Sequence, residues 1–255
     1  MATDDSLGNQ SIGPAPAGWV VFSSVQPDQS SLRCANYSNR EWVVTVNGEQ
    51  VGIVSRGTQG RGGPRIVPFR GGSLVGRDAG EFGGGLWWSS SDGRIKAKIS
   101  EDNVLGFVET SFGTLALTGL DHMGLRSGKV LVMSAEGPLP PTAVVLADLG
   151  EAPYAFSRDA KENVIVVTGS RLLRIAPPGS VETLFTTDYN LLYPNSVGIA
   201  QSGIIYVGMR HFVTRVTPVG PGHREDWLVP ADCPKFEQKG LECVCVHGAK
   251  YPIKP

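Results

Sequence analysis

Short apolar runs alternate with turn residues along the whole chain, and one strand–turn–strand unit recurs about every forty positions. Its clearest copy is Gly203-Ile204-Ile205-Tyr206-Val207-Gly208 followed by Phe212-Val213-Thr214-Arg215-Val216-Thr217-Pro218. The stretch 163–169 with 171–177 repeats it forty positions earlier. Self-similarity at such a period marks one supersecondary unit stacked repeatedly. Further hairpins are predicted at 41–46 with 50–54, 85–90 with 94–99, 113–118 with 129–133, and 241–246 with 249–255. Asn47-Gly48 supplies a tight turn, because both central residues of a type I′ turn need positive φ. The connection 119–128 reads as a long loop carrying Asp121 and His122. The step from 85 to 113 is too short for a full unit, which predicts a lost or shortened strand there.

Strand-like stretches at 105–110, 142–147, 154–157, 181–185, 196–200 and 226–229 lie between the hairpins. They bring the count to roughly four strands per unit, the stoichiometry of a propeller blade. A two-sheet sandwich would not require the forty-residue period. The fold expected is therefore all-β, a β-propeller of six blades, with five as the alternative. It fills 18–255 as a single domain behind a disordered N-terminal segment, 1–17. Trp19-Val20-Val21-Phe22-Ser23 is a strand without a blade of its own, and is expected to complete the last blade beside the C-terminal hairpin.

Composition narrows the partners. The 255 residues are 41% hydrophobic and 18% charged, with a net charge of −1. No basic stripe answers a phosphate backbone, so nucleic acid is not expected. No apolar run reaches the eighteen or so residues of a membrane helix, so no membrane span is expected. The N-terminus lacks the charged-then-apolar pattern of a secretory signal. That leaves a cytoplasmic chain or one whose signal has been removed. Cys34 near the start and Cys233, Cys243 and Cys245 near the end favour the second: an even count at the two ends reads as disulfides tying the termini, in a secreted or periplasmic setting. The alternative is four reduced cysteines serving as small apolar residues.

The stretch Tyr193-Pro194-Asn195-Ser196-Val197-Gly198-Ile199-Ala200, continuing through Gly203–Val207 to Arg215-Val216-Thr217-Pro218, resembles one blade of the NHL and SMP-30/gluconolactonase-type six-bladed propellers. The likeness is partial over 151–185 and faint elsewhere. SMP-30 relatives hold a divalent metal on the axis through Glu, Asn and Asp side chains and hydrolyse lactones or phosphoesters. The resemblance places Asn195 at the Pro-Asn position, with Glu151 and Asn103 at nearby positions of their own blades. Such oxygen ligands suit Ca²⁺ or another divalent metal. The family's N-terminal glutamate and its completing aspartate have no counterpart here.

Other chemistry is sparse. Asp121 and His122 form a candidate acid–base or binding pair on a loop. Trp87 and Trp88 must point to opposite faces of one strand, so one of them is a candidate contact residue at a blade surface. No nucleophile sits in a recognisable motif. The reading that follows is a non-catalytic propeller without a cofactor, binding a protein or other macromolecular partner through its loop face, for instance as an inhibitor or immunity protein. The alternative is an SMP-30-like metal-dependent hydrolase.

Overall fold

The computed structural model describes residues 15–22, 34–38, 40–57 and 63–231, and as strand backbone 236–239 and 242–245. The chain opens with β1 (Trp19–Phe22), β2 (Arg40–Asn47) and β3 (Gln50–Gly57). Blade 1 holds β4 (Arg65–Phe69), β5 (Gly72–Asp78), β6 (Gly84–Ser90) and β7 (Lys96–Ser100). Blade 2 holds β8 (Val104–Thr110), β9 (Gly113–His122), β10 (Leu125–Met133) and β11 (Ala143–Asp148). Blade 3 holds β12 (Ala155–Arg158), β13 (Val164–Val167), β14 (Arg171–Ala176) and β15 (Ser180–Thr186). Blade 4 holds β16 (Ser196–Ile199), β17 (Ile205–Gly208), β18 (Val213–Val219) and β19 (Gly222–Pro230), and the last hairpin is β20 (Phe236–Lys239) with β21 (Glu242–Cys245). Each blade is an antiparallel meander with its strands in sequence order.

The side-chain period of two explains how the blades stack. Every residue of β13 and of β17 is buried, so both faces of these strands are covered. Val164 and Val166 pack with Leu115 and Leu117 of β9, whereas Ile165 and Val167 pack with Ile205 and Val207 of β17. Ala116 turns the other way, toward Leu74, Leu86 and Trp88 of blade 1. Successive residues of one strand thus serve the two neighbouring blades in turn. The inner strands β4, β8, β12 and β16 together line one groove. This is a β-propeller arrangement.

Within the described residues the propeller consists of four complete blades and two two-stranded hairpins. The short step from 85 to 113 has a simple cause, and no strand is missing. The hairpin read at 85 is β6–β7, the outer pair of its blade, whereas the one read at 113 is β9–β10, the middle pair. Strands β4 and β5 escaped the sequence reading. Gly71-Gly72 and Gly76 break the alternation there, and Gly76 has room for no side chain beneath Val104 and Phe107.

Closure differs from expectation in one respect. Among the described residues strand β1 pairs not with the C-terminal hairpin but with β19, from Trp19 opposite Pro230 to Phe22 opposite Trp227, as a fifth strand of blade 4. Packing explains the choice, since Trp19 meets Trp42 edge to face with ring centroids 4.9 Å apart, in the cluster of Val44, Tyr206, Val213 and Leu228. Strand β21 pairs with β20, ahead of it in sequence. The strand expected over 249–255 lies outside the described residues.

The β2–β3 hairpin lies against blade 4. The Trp42 amide donates to the Met209 carbonyl at 2.8 Å, and the Val44 amide to Ser196 Oγ at 2.9 Å. The approach is close enough to demand glycine: a Cβ on Gly208 would stand 2.2 Å from the Trp42 carbonyl oxygen and 2.3 Å from Ser196 Oγ. Gly208→Ala is expected to destabilise the fold by about 2–3 kcal/mol, the upper range for overpacking against a backbone that cannot yield. Urea unfolding followed by tryptophan fluorescence reads this directly; an unchanged midpoint would mean that hairpin and blade do not meet as described.

Candidate functional site

Hydrogen bonds between blades gather one set of connections at a single end of the propeller. Asn103, immediately before β8, accepts the Ala79 amide at Oδ1 (3.2 Å) and donates Nδ2 to the Gly80 carbonyl (3.0 Å). Both belong to the β5–β6 connection, whose 3-10 turn spans Gly80–Phe82. Glu151, on the approach to β12, accepts from the Ser170 hydroxyl and amide on the β13–β14 turn, and pairs with Arg171 at 3.5 Å. Burial works against ionisation of Glu151, but the Ser170 and Thr168 donors and the Arg171 charge outweigh it and hold its pKa below the usual carboxylate value. Asn195, immediately before β16, accepts the Ser196 hydroxyl at 2.9 Å and lines the axial groove.

The three residues that the family resemblance named thus stand on three successive entries to inner strands; Asn103 and Glu151 are held by hydrogen bonds, whereas Asn195 Nδ2 is buried with no partner among the described residues. Among the described residues no group of three or more His, Cys, Asp or Glu side chains is placed to hold a metal ion. Of the three only Asn195 lines the groove, which measures about 700 Å³ and is lined as well by Arg65, Glu109, Tyr154, Phe156 and Arg158.

Asp121 and His122 are not on an open loop. Strands β9 and β10 continue their pairing through Asp121 opposite Arg126 and His122 opposite Leu125. Only Met123 and Gly124 form the turn, both at positive φ (47° and 86°). Met-Gly is a poor signal for such a turn, which favours Asn-Gly or Asp-Gly, and the sequence therefore read as irregular. Nor do the two residues form a dyad, because adjacent positions on a strand point to opposite faces. Asp121 accepts the Tyr154 hydroxyl at 2.7 Å, joining blade 2 to blade 3. Burial first, then this carboxylate, raises the Tyr154 pKa well above the ordinary phenol value. His122 Nε2 lies 2.5 Å from Glu81 Oε2, joining blade 2 to blade 1.

The hairpin is thereby braced on both sides, and its tip is apolar. Met123 is 90% exposed and Leu125 67%, while Phe82, next to Glu81, is 88% exposed. Sequence reading missed all three; the only available signal was large apolar residues beside glycine in otherwise polar segments.

The tryptophan pair divides as the alternation requires. Trp88 is buried at 2% exposure, with its indole N–H on the Phe69 carbonyl at 3.1 Å. Trp87 is partly exposed on the opposite face, with Arg77, Lys96 and Lys98 at 5.8, 5.8 and 5.2 Å from its ring centroid.

At the same end, the segment 34–38 sits over blade 4. His211 is buried, with Nε2 2.7 Å from the Cys34 carbonyl oxygen. Burial holds its pKa below the usual imidazole value. Arg210 donates to the Asn36 carbonyl at 2.6 Å and lies over the Tyr193 ring at 3.6 Å. Cys34 is buried and is not a free thiol. Side chains of Cys233, Cys243 and Cys245 lie outside the described residues.

No family model matches the sequence, and no curated protein matches it. Among solved structures the chain is similar to a streptogramin B lyase, at TM-score 0.42 and 15% identity, over 64% of this chain and 54% of that one. It is similar as well to selenomethionine-substituted virginiamycin B lyase from Staphylococcus aureus, at TM-score 0.43 and 14% identity, over 64% and 55% of the two chains. The chain spans about half the length of these structures.

Proposed function

We propose that the protein is a non-catalytic propeller that binds a protein partner through its loop face, with the β9–β10 tip as the anchor. The observation that carries this reading is the grouping of Phe82, Met123 and Leu125, each at least two-thirds exposed, on a support braced by the His122–Glu81 and Asp121–Tyr154 contacts. Interface energy concentrates in a few apolar anchors that are held before binding and fill pockets on the partner. A projecting tip suits insertion into another protein's cleft, as an inhibitor or immunity protein would require. The oxidised state of Cys34 supports a setting outside the cytoplasm, with disulfides tying the chain ends. The likeness of the 193–218 blade to NHL and SMP-30 propellers supports the architecture of this scaffold rather than a reaction on it.

The Met123→Asp/Leu125→Asp double variant is expected to fold as the parent does, since both residues are exposed, and to bind the partner at least tenfold more weakly. The measurement is co-purification from the native source, comparing the parent, the double variant and a control with an equally exposed change at Val144 on β11. A partner retained equally by parent and tip variant would overturn the reading.

A further inference from the structure

The face of blade 1 turned away from blade 2 carries a row of directly opposed residues across all four strands. Ile66 faces Val75, Val75 faces Trp87, and Trp87 faces Lys98. None of Ile66, Val75 and Trp87 belongs to a core cluster of the described residues, and Ile66 is 60% exposed. Arg77 and Lys96 share this face by the strand alternation. Gly85 explains how the indole lies: a Cβ there would stand 2.4–2.9 Å from three atoms of the Trp87 benzo ring, so the ring rests on bare backbone. The result is a flat aromatic plate with three cations over it, of which, among the described residues, only Lys98 has an ion-pair partner, Glu101.

We infer that this face is a binding surface for an anionic polysaccharide. A pyranose ring offers a flat face of C–H groups that stacks on an exposed indole. The carboxylate or sulfate carried by such a ring, or by the next along the chain, would then reach Arg77, Lys96 or Lys98. An acidic peptide would satisfy the cations but brings no ring to the plate, and a neutral glycan would use the plate and leave the cations idle. Cations clustered around one partly exposed tryptophan are the chemistry of a ligand that is both ringed and negatively charged. The surface is separate from the β9–β10 tip, so the inference stands apart from the protein-binding proposal.

The test uses the full chain and three probes: oligogalacturonate and heparin fragments as anionic glycans, and poly-glutamate as a ringless anion. Binding is read by isothermal titration at low salt. At least one glycan is expected to bind, with affinity falling as salt rises, and more tightly than poly-glutamate of equal charge. Lys96→Glu/Lys98→Glu, at exposed positions that leave the core untouched, is expected to weaken glycan binding at least tenfold. Trp87→Leu is expected to bring glycan affinity down to that of poly-glutamate. Three outcomes would overturn the proposal: no binding of either glycan, equal binding of poly-glutamate, or binding indifferent to the lysine changes. If Trp87→Leu fails to fold, the lysine variant and the poly-glutamate comparison still decide it.

Discussion

Asp226→Ala is expected to destabilise the protein by about 3–5 kcal/mol, the range for stripping one partner from a buried ion pair. Arg215 is 2% exposed and Asp226 8%, and the Arg215 Nε and Nη2 both donate to Asp226 Oδ2, at 3.2 and 2.9 Å. The pair lies opposite in register on β18 and β19, on the face of blade 4 shared with Tyr206 and turned toward the β2–β3 hairpin. Arg224 stands 3.6 Å from the other carboxylate oxygen, half-buried, and does not replace Arg215. A guanidinium left at that depth keeps its charge, because arginine does not deprotonate in proteins. The double variant Arg215→Met/Asp226→Leu is expected to recover most of the loss, since a buried pair is dearer to break than to replace by apolar groups. Denaturant titration of the three proteins measures this. A single variant costing less than about 1 kcal/mol would show that water reaches the arginine.

The second large effect is a dependence of stability on pH centred on Glu225. Its carboxyl, half-buried between blades 3 and 4, has its pKa pushed up to about 7, chiefly by loss of solvent and further by the neighbouring Asp226 charge, while donors from Tyr189 and Trp227 oppose the rise. The Tyr189 hydroxyl, on a residue 1% exposed, donates to it at 3.1 Å. His223 lies on the same strand face, toward Phe185 of blade 3. Between about 4.5 and about 7 the folded state holds this proton more tightly than the unfolded chain does. Stability from this group is therefore full in acid and is lost as pH rises through that window, by as much as about 3 kcal/mol. His211 works in the opposite sense. Its lowered pKa means that the folded state prefers the neutral ring, so its contribution is lost as pH falls below the ordinary imidazole value. Glu225→Gln keeps an acceptor for Tyr189 and removes the titration. The variant is expected to match the parent near pH 5 and to exceed it by about 2–3 kcal/mol near pH 8. Parallel unfolding free energies for the two proteins across that range would refute the assignment.

Neither effect was visible in the sequence, and the reason is physical. Nothing in the sequence marks Arg215, Glu225 and Asp226 as covered, because alternation tells which face a residue takes and not whether that face is covered. In a propeller the neighbouring blade covers it. The same property made the strands easy to find: of the stretches predicted between hairpins, 105–110, 142–147 and 181–185 each fall on an observed strand. What local pattern could not supply was phase. One apolar hairpin looks much like another, so β6–β7 and β9–β10 were read as equivalent although they occupy different places in their blades. The binding surfaces divide in the same way. Opposed orientations of Trp87 and Trp88 followed from a period of two, but the cations around Trp87 come from β5 and β7 and needed register. The tip at Met123 was hidden by a turn whose residues are unusual for its geometry.

Strand β1 has a consequence for the order in which the molecule can be made. Its partner β19 lies about two hundred residues further on. At roughly 5–20 residues per second, synthesis leaves the first strand waiting some ten to forty seconds for its mate. The meanders of blades 1 to 3 need only near neighbours in sequence, and each can assemble as it emerges. Trp19, Val20, Val21 and Phe22 are thus made long before the strand that pairs with them. The nascent chain carries this apolar strand without its partner until blade 4 appears.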